Sequence, residues 1–499
     1  MHLKISLLFR EKSRKSATIL INNKGDTMTT VTQNKRYVGV KETVLYGIAN
    51  GGQVIGYNMV RNQLTFFLVT VFGVPAQAVA TMIFVMGLWD AFNDPLMGTV
   101  VDRTRTRFGK LRPYLMFVPL PLGAATVLFF GGATFLDGVQ STGLKIAYMC
   151  ITYFIWEVLY TIGDIPYWGL SAAISPNPAD RSRVITSARF ISSIIGGLPG
   201  IVVPVCIDLS RNGTIPLDMA QVFLILGVVA GTVGMGLFSL AGFFTKERII
   251  QSSDEPKVLD CFKYLFKNKP LLLLVSSSVL GTVGGIADTF TQYFYTFSLG
   301  TASLSLVAGI PGTIMGFFTY LIMPKIEKID SKKLIIRIAF IKAAVTVCVF
   351  LAGCKSYTNP LVIVPLLAVQ GVFNSIVSSI MMVIPTKMMG DTVDYMEWKT
   401  GERNEGMTFS LLTFISKLTG SFSTAFATAI IPIIGLSQVG SDMVLVEGTV
   451  NTRLWLWGLV TFIPAVLNLL SLIPYIFYDL SGDKLAEIRK ELEERRISK

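Results

Sequence analysis

Asp90 and Asp94 stand four residues apart inside a run, 77–101, that is otherwise rich in Val, Met, Phe and Leu. In a helix that spacing puts both carboxylates on one face. Asp90 then lies roughly 20 Å from one end of the run and about 16 Å from the other. A bare carboxylate at such depth in an apolar medium costs at least a few kcal/mol, and two on one face repel each other. A bound cation or a proton offsets both penalties. Oxygen donors such as Asp90, Asn93, Asp94 and Thr161 suit Na+, with Asp90 and Asp94 as its charged ligands, and paired carboxylates suit H+. The residue types leave both ions open.

Further polar groups sit deep in apolar runs, where they mark function by default. Asp164 lies about 10 Å from the end of its run, with Thr161 nearly a turn before it and Trp168 one turn after it. Lys417 lies roughly 16 Å into another run, with Thr413 one turn earlier on the same face. Arg61 is central in the first run, flanked by Asn58 and Asn62, and Glu157 and Asp288 are the remaining acids. A Trp face stacks on the apolar face of a sugar ring, while Asp and Arg bond its hydroxyls. If Asp164 serves both ion and sugar, each ligand favours binding of the other, which is what coupling means thermodynamically. Glu157 and Asp288 read equally as structural partners of Arg61. Arg189 and Lys342, near run ends, read equally as snorkelling side chains.

The elements that position these residues are apolar helices. Of 499 residues 52% are hydrophobic and only 15% charged, with a mean hydropathy of +0.58. An average soluble chain carries roughly 25% charged residues. Twelve spans can be read: 44–72, 77–101, 113–136, 143–170, 184–207, 219–244, 270–298, 301–323, 334–352, 360–388, 406–435 and 454–478. Counted on alternate sides, with Arg337, Lys387 and Lys145 at span ends assigned to the adjoining loops, 36 of the 44 Lys and Arg fall on the side of the termini and 4 on the other. By the positive-inside bias both termini are cytoplasmic, in an integral protein of the cell membrane. The formal charge of +12 is therefore topology. It points to anionic lipid headgroups as a partner and not to nucleic acid.

Six spans, a charged connector at 245–269 and six more spans divide the chain into a tail (1–43), a first half (44–244), a second half (270–478) and a C-terminal tail (479–499). Each half has a basic loop between its second and third spans, Asp102 to Pro113 in one and Pro324 to Lys333 in the other. That pattern suggests two pseudo-symmetric six-helix bundles rocking about a midplane site. Pro95, Pro166, Pro199, Pro204 and Pro311 interrupt spans, as hinging helices around a cavity allow. The five cysteines show no paired spacing, so neither a disulfide framework nor a zinc site is indicated, and no cofactor is expected beyond the coupling ion. The apolar patch Leu3 to Phe9 is too short for a signal peptide, and Met28 offers a second start. The C-terminal stretch 483–499, charged at helical spacing, reads as solvated or facing headgroups.

Several of these residues fall into longer patterns: Trp89-Asp90-Ala91-Phe92-Asn93-Asp94-Pro95-Leu96-Met97-Gly98, the loop Asp102-Arg103-Thr104 to Arg107-Phe108-Gly109-Lys110, and Gly163-Asp164-Ile165-Pro166-Tyr167-Trp168. With Arg189-Phe190, Gly390 to Tyr395 and Thr413 to Lys417, the chain from about Lys41 onward resembles the glycoside–pentoside–hexuronide:cation symporters of the major facilitator superfamily. The resemblance implies the all-α major facilitator fold and uptake of a sugar coupled to Na+ or H+. It implies a cation site at Asp90, Asn93, Asp94 and Thr161 with Asp164 close by. It implies a sugar site of Asp164, Trp168, Arg189 and Tyr160, faced by Thr413 and Lys417 from the other half. Where the melibiose-transporting branch places a sugar-binding Asp in the first helix, this chain has Val54, and Arg61 stands nearby as an added cation. Arg61 would favour an anionic sugar such as a hexuronide, unless it pairs with Glu157 or Asp288.

Other function classes fare worse. HExxH, GxSxG and P-loop patterns are absent, and the one histidine is His2, so an intramembrane enzyme is not expected. A carrier of lysolipid-like amphipathic substrates would need a wide lateral opening and an apolar cavity. A non-transporting sensor would be expected to lose the carboxylates or gain a signalling domain, and no obligate protein partner is inferred.

Overall fold

The computed structural model describes residues 36–248, 265–326, 329–401, 405–439, 442–445 and 451–497. The expectations for Leu3 to Phe9 and Met28 lie outside these residues. The first half runs α1 (Val40–Phe66), continued by a π-turn at Phe67–Val71, then α2 (Ala76–Arg103), α3 (Arg112–Phe117), α4 (Pro119–Phe135) and α5 (Thr142–Ala173). It ends with α6 (Pro178–Gly196), α7 (Leu198–Arg211), α8 (Met219–Val229) and α9 (Met235–Phe244). The second half runs α10 (Lys269–Val283), α11 (Ile286–Tyr293), α12 (Leu304–Ile326), α13 (Ser331–Gly353), α14 (Pro360–Thr400) and α15 (Glu405–Ile430). A short antiparallel hairpin, Leu436–Val439 with Asp442–Leu445, interrupts the helices. Then come α16 (Thr452–Val460), α17 (Phe462–Leu470), α18 (Ile473–Phe477) and α19 (Asp483–Ile497).

The chain is a helical integral membrane protein. Among the described residues, eight helical stretches are long and apolar enough to cross a membrane. α1 and α15 are not among them, because both carry polar residues inward: Asn50, Gln53 and Gln63 are buried on α1, and Thr408, Ser421 and Thr428 on α15. Leu361 (86% exposed) and Leu120 (82%) belong to a broad exposed apolar surface. In water such a surface would drive aggregation; in lipid it faces its proper solvent.

Close helix packing is built on glycines. A Cβ on Gly123 of α4 would lie 2.1 Å from the carbonyl oxygen of Gly231, and one on Gly52 of α1 would lie 2.3 Å from that of Gly234. Backbones approach this closely only where side chains are absent. The basic loop after α2 is pinned by Glu247, whose carboxylate accepts from the backbone N–H groups of Lys110, Leu111 and Arg112 at 2.8–2.9 Å.

Three sequence expectations change in detail. α14 continues to Thr400, beyond the expected end at 388. The fifth span breaks at Gly197, just before Pro199, into α6 and α7. α19 docks instead of lying free: Ile488 and Leu492 are buried, Arg489 bonds Asp391 at 2.6 Å, and Trp398 donates to Glu491 at 2.7 Å. Its charges hid an apolar stripe that a neighbouring helix covers.

The halves meet at the ends of the helices remote from the termini. Asp208, at the end of α7, accepts from the backbone N–H groups of Ala302 and Ser303, both at 2.7 Å. Arg211 donates to the Thr296 carbonyl at 2.8 Å and lies over the Phe297 ring. Thr65 and Thr428 share a hydrogen bond of 3.0 Å.

Candidate functional site

A cavity of about 970 Å³ lies between the halves. Its two walls differ. α1, α2 and α5 contribute Tyr57, Arg61, Asp90, Glu157, Tyr160, Thr161, Asp164 and Trp168, so one wall is aromatic and ionic. The facing wall, from α10, α11 and α15, is mostly small and hydroxylated, with Thr282, Gly285, Thr289, Ser416, Gly420, Ser423 and Thr424 beside Asp288, Gln292 and Lys417.

Asp164 is the polar centre of the first wall. Gln53 donates to its Oδ1 at 2.6 Å and the Trp168 indole N–H to the same oxygen at 3.1 Å. The Asp164–Trp168 spacing of four produces that second bond within α5. The Arg189 guanidinium lies 5.0 Å from the Trp168 ring, a cation–π contact that ties α6 to α5. Tyr160 stacks on Trp156 with centroids 5.1 Å apart and lies tilted against Tyr57 at 5.3 Å.

Asp90 and Asp94 part company. Asp90 accepts from Arg61 at 3.1 Å, and the same guanidinium nitrogen bonds Glu157 closely. Arg61 is further placed 6.0 Å from the Tyr57 ring and 5.9 Å from the Tyr153 ring. Glu157 and Asp90 side chains are 2% and 6% exposed, and Arg61 21%. Asp94 instead bonds Lys417 of α15, across the interface between the halves. One oxygen of each acid, Asp90 Oδ1, Asp94 Oδ1 and Glu157 Oε2, is buried with no hydrogen-bond partner.

The structure therefore brings Arg61, Asp90, Thr161, Asp164, Tyr160, Trp168 and Lys417 to one cavity, with Asp94 joined to its rim through Lys417 and Arg189 reaching it through Trp168. Asn93 is buried, its amide nitrogen unpartnered, and it is not among the cavity-lining residues. Thr413 lies in α15 one turn before Lys417, and its side chain is outside the described residues. Of the two readings of Arg61, pairing with Glu157 is the one observed. Gln53 was missed, since a glutamine in an apolar helix carries no spacing signal. Its neighbour Val54 packs towards Gly196, where an added Cβ would meet Val54 at 2.3 Å.

A helical membrane fold with two walls around a polar cavity is the architecture of a membrane transporter. The sequence belongs to the MFS/sugar transport protein family, which it matches over residues 45–482. It is 29% identical to the uncharacterized symporter YnaJ of Bacillus subtilis over 476 residues, covering 93% of this chain and 97% of that one. It is 27% identical to the glucuronide carrier protein homolog of Escherichia coli, covering 89% and 95%. Among solved structures, a bacterial homologue of the iron transporter ferroportin in its inward-facing state superposes with a TM-score of 0.61, covering 88% of this chain and 99% of that one at 13% identity. That likeness speaks to the fold.

Proposed function

We propose that the protein is a secondary symporter of the cell membrane that couples entry of a sugar to a cation by alternating access. In this reading twelve spans form two pseudo-symmetric six-helix bundles, 44–244 and 270–478, joined by the connector 245–269, with the tails 1–43 and 479–499 in the cytoplasm. The halves rock about the cavity, and the contacts at Asp208, Arg211 and Thr65 close its outer side. One observation carries the reading: Asp94 of one half pairs with Lys417 of the other at the edge of a cavity whose fixed wall holds Asp164 and Trp168. Rocking the halves must remake that pair, which links movement to charge.

The cation site comprises Asp90, Asn93, Asp94 and Thr161, with Asp164 adjoining, and Na+ or H+ travels as co-substrate. Asp164, Trp168, Tyr160 and Arg189 hold the sugar, with Thr413 and Lys417 facing them. The Trp168 ring beside the Asp164 carboxylate sets an apolar surface next to an acceptor, which suits a pyranose or furanose ring. The lining acids Asp90, Glu157, Asp164 and Asp288 outnumber the lining cations Arg61 and Lys417, both already paired. This favours a neutral glycoside or pentoside over a hexuronide.

The test is uptake into proteoliposomes, and thermal stabilisation of the purified chain, with methyl pentosides, methyl hexosides and hexuronides under imposed Na+ and H+ gradients. Gradient-driven accumulation of a neutral glycoside is expected. Failure of every sugar to be transported or to stabilise would turn the reading to a non-sugar amphipathic substrate.

A further inference from the structure

Arg61 is not used by the transport scheme, yet it lines the cavity beside two acids, Asp90 and Glu157. Its guanidinium touches Asp90, the acid through which α2 would hold a metal ion, and is anchored by the nearly fully buried Glu157. Tyr57 and Tyr153 add aromatic faces at 6.0 and 5.9 Å. All five side chains come from α1, α2 and α5, which pack within the first half, so the arrangement stays intact when the halves rock. The Asp94–Lys417 pair is different in kind, because it spans the halves and is remade in each cycle.

We propose that Arg61 is a built-in cation standing in the Na+ position at Asp90, held there by Glu157, and that it is the residue that denies the site to Na+. The proposal rests on the transport reading above and names the ion its site refuses. Three physical points carry it. A guanidinium has five N–H donors in a fixed fork, and only one nitrogen of Arg61 is engaged while its Nε is buried and unpartnered. That one nitrogen already joins Asp90 to Glu157, so the charge the two carboxylates share is that of Arg61. A Na+ on Asp90 would sit beside a like charge that cannot leave, since its own carboxylate and two rings retain it. Finally, Glu157 fixes Arg61 against Asp90 from within the first half, so the chain carries this cation through every conformation without help from the second half.

The experiment compares NaCl with choline chloride at equal ionic strength on the purified full chain, reading the unfolding temperature and equilibrium binding of radiolabelled Na+, both without sugar. The wild type is expected to show no saturable Na+ response. The double variant Arg61→Gln, Glu157→Gln, which removes both charges together, is expected to gain saturable Na+ binding and a rise of several degrees; Arg61→Met provides a second route to the vacated site. Saturable Na+ binding by the wild type overturns the proposal, as does a folded variant that stays indifferent to Na+. If neither variant folds, saturable Na+ binding by the wild type still overturns the proposal. Sugar transport by the wild type is read separately, so a Na+-binding wild type that transports sugar refutes this proposal and leaves the transport reading standing.

Discussion

The carboxylate of Asp208 offers the cleanest test of the rocking mechanism. It accepts two backbone N–H groups at 2.7 Å from Ala302 and Ser303, at the entry to α12 in the opposite half, and is itself buried. Hydrogen bonds to a charged group contribute about 1.5–3 kcal/mol each. Asp208→Asn keeps the shape and one acceptor but removes the charge and turns the second oxygen into a donor facing another donor. A loss of about 2 kcal/mol is a conservative figure for this change, equivalent to a factor of about 30 in the balance between closed and open outer ends. Spin labels on cysteines at Asn212 and Lys355, one in each half on this side, in a cysteine-free background, would report the distance by pulsed resonance. A minor longer-distance population in the parent should grow to dominate in Asp208→Asn. An unchanged distribution with a normally folded variant would refute the idea that this contact closes the outer side.

Other consequences are more local. Gln53→Leu removes the donor held 2.6 Å from Asp164 and leaves a buried acid short of a partner; sugar affinity measured by calorimetry should fall about tenfold, with the unfolding temperature little changed. Gly123→Val forces side-chain carbons onto the Gly231 carbonyl, and membrane expression followed by gel filtration should show loss of the folded monodisperse protein. Glu247→Ala strands three backbone N–H groups of the basic loop and should destabilise the chain by about 2–4 kcal/mol, read as a lower unfolding temperature. Deleting 483–499 bares the surface that Ile488 and Leu492 cover on α14, and should raise protease cleavage near Trp398.

Much of the site was legible because buried charge is costly and therefore rare. Asp90, Asp94, Asp164, Arg61 and Lys417 stood out in apolar surroundings, and the structure gathers them around one cavity. The spacing of four correctly placed Trp168 against Asp164, since both lie on one helix. What the sequence concealed were relations between helices. Nothing local says that Asp94 would meet Lys417, 323 residues away, while Asp90 turns to Arg61. Gln53 gave no signal because its neutral amide costs little at such a position until its partner is known. The same physics limited the fold: α1 and α15, which face the cavity, lose apolar character where they bear polar residues, while α5, which supplies Glu157, Tyr160, Thr161, Asp164 and Trp168, stays apolar enough to be recognised as a span.

The two walls of the cavity also age differently. One is a mosaic of locked pairs, where a change at Glu157 leaves Arg61 with Asp90 alone and a change at Gln53 leaves Asp164 with Trp168 alone. The other is a sheet of hydroxyls and glycines, tolerant of exchange one residue at a time. Drift in substrate preference should therefore enter through the permissive wall, by trading Ser423 or Thr424 for bulk or breadth. Innovations in the ionic wall must arrive as compensated couples, and would appear among descendants as abrupt steps instead of gradients.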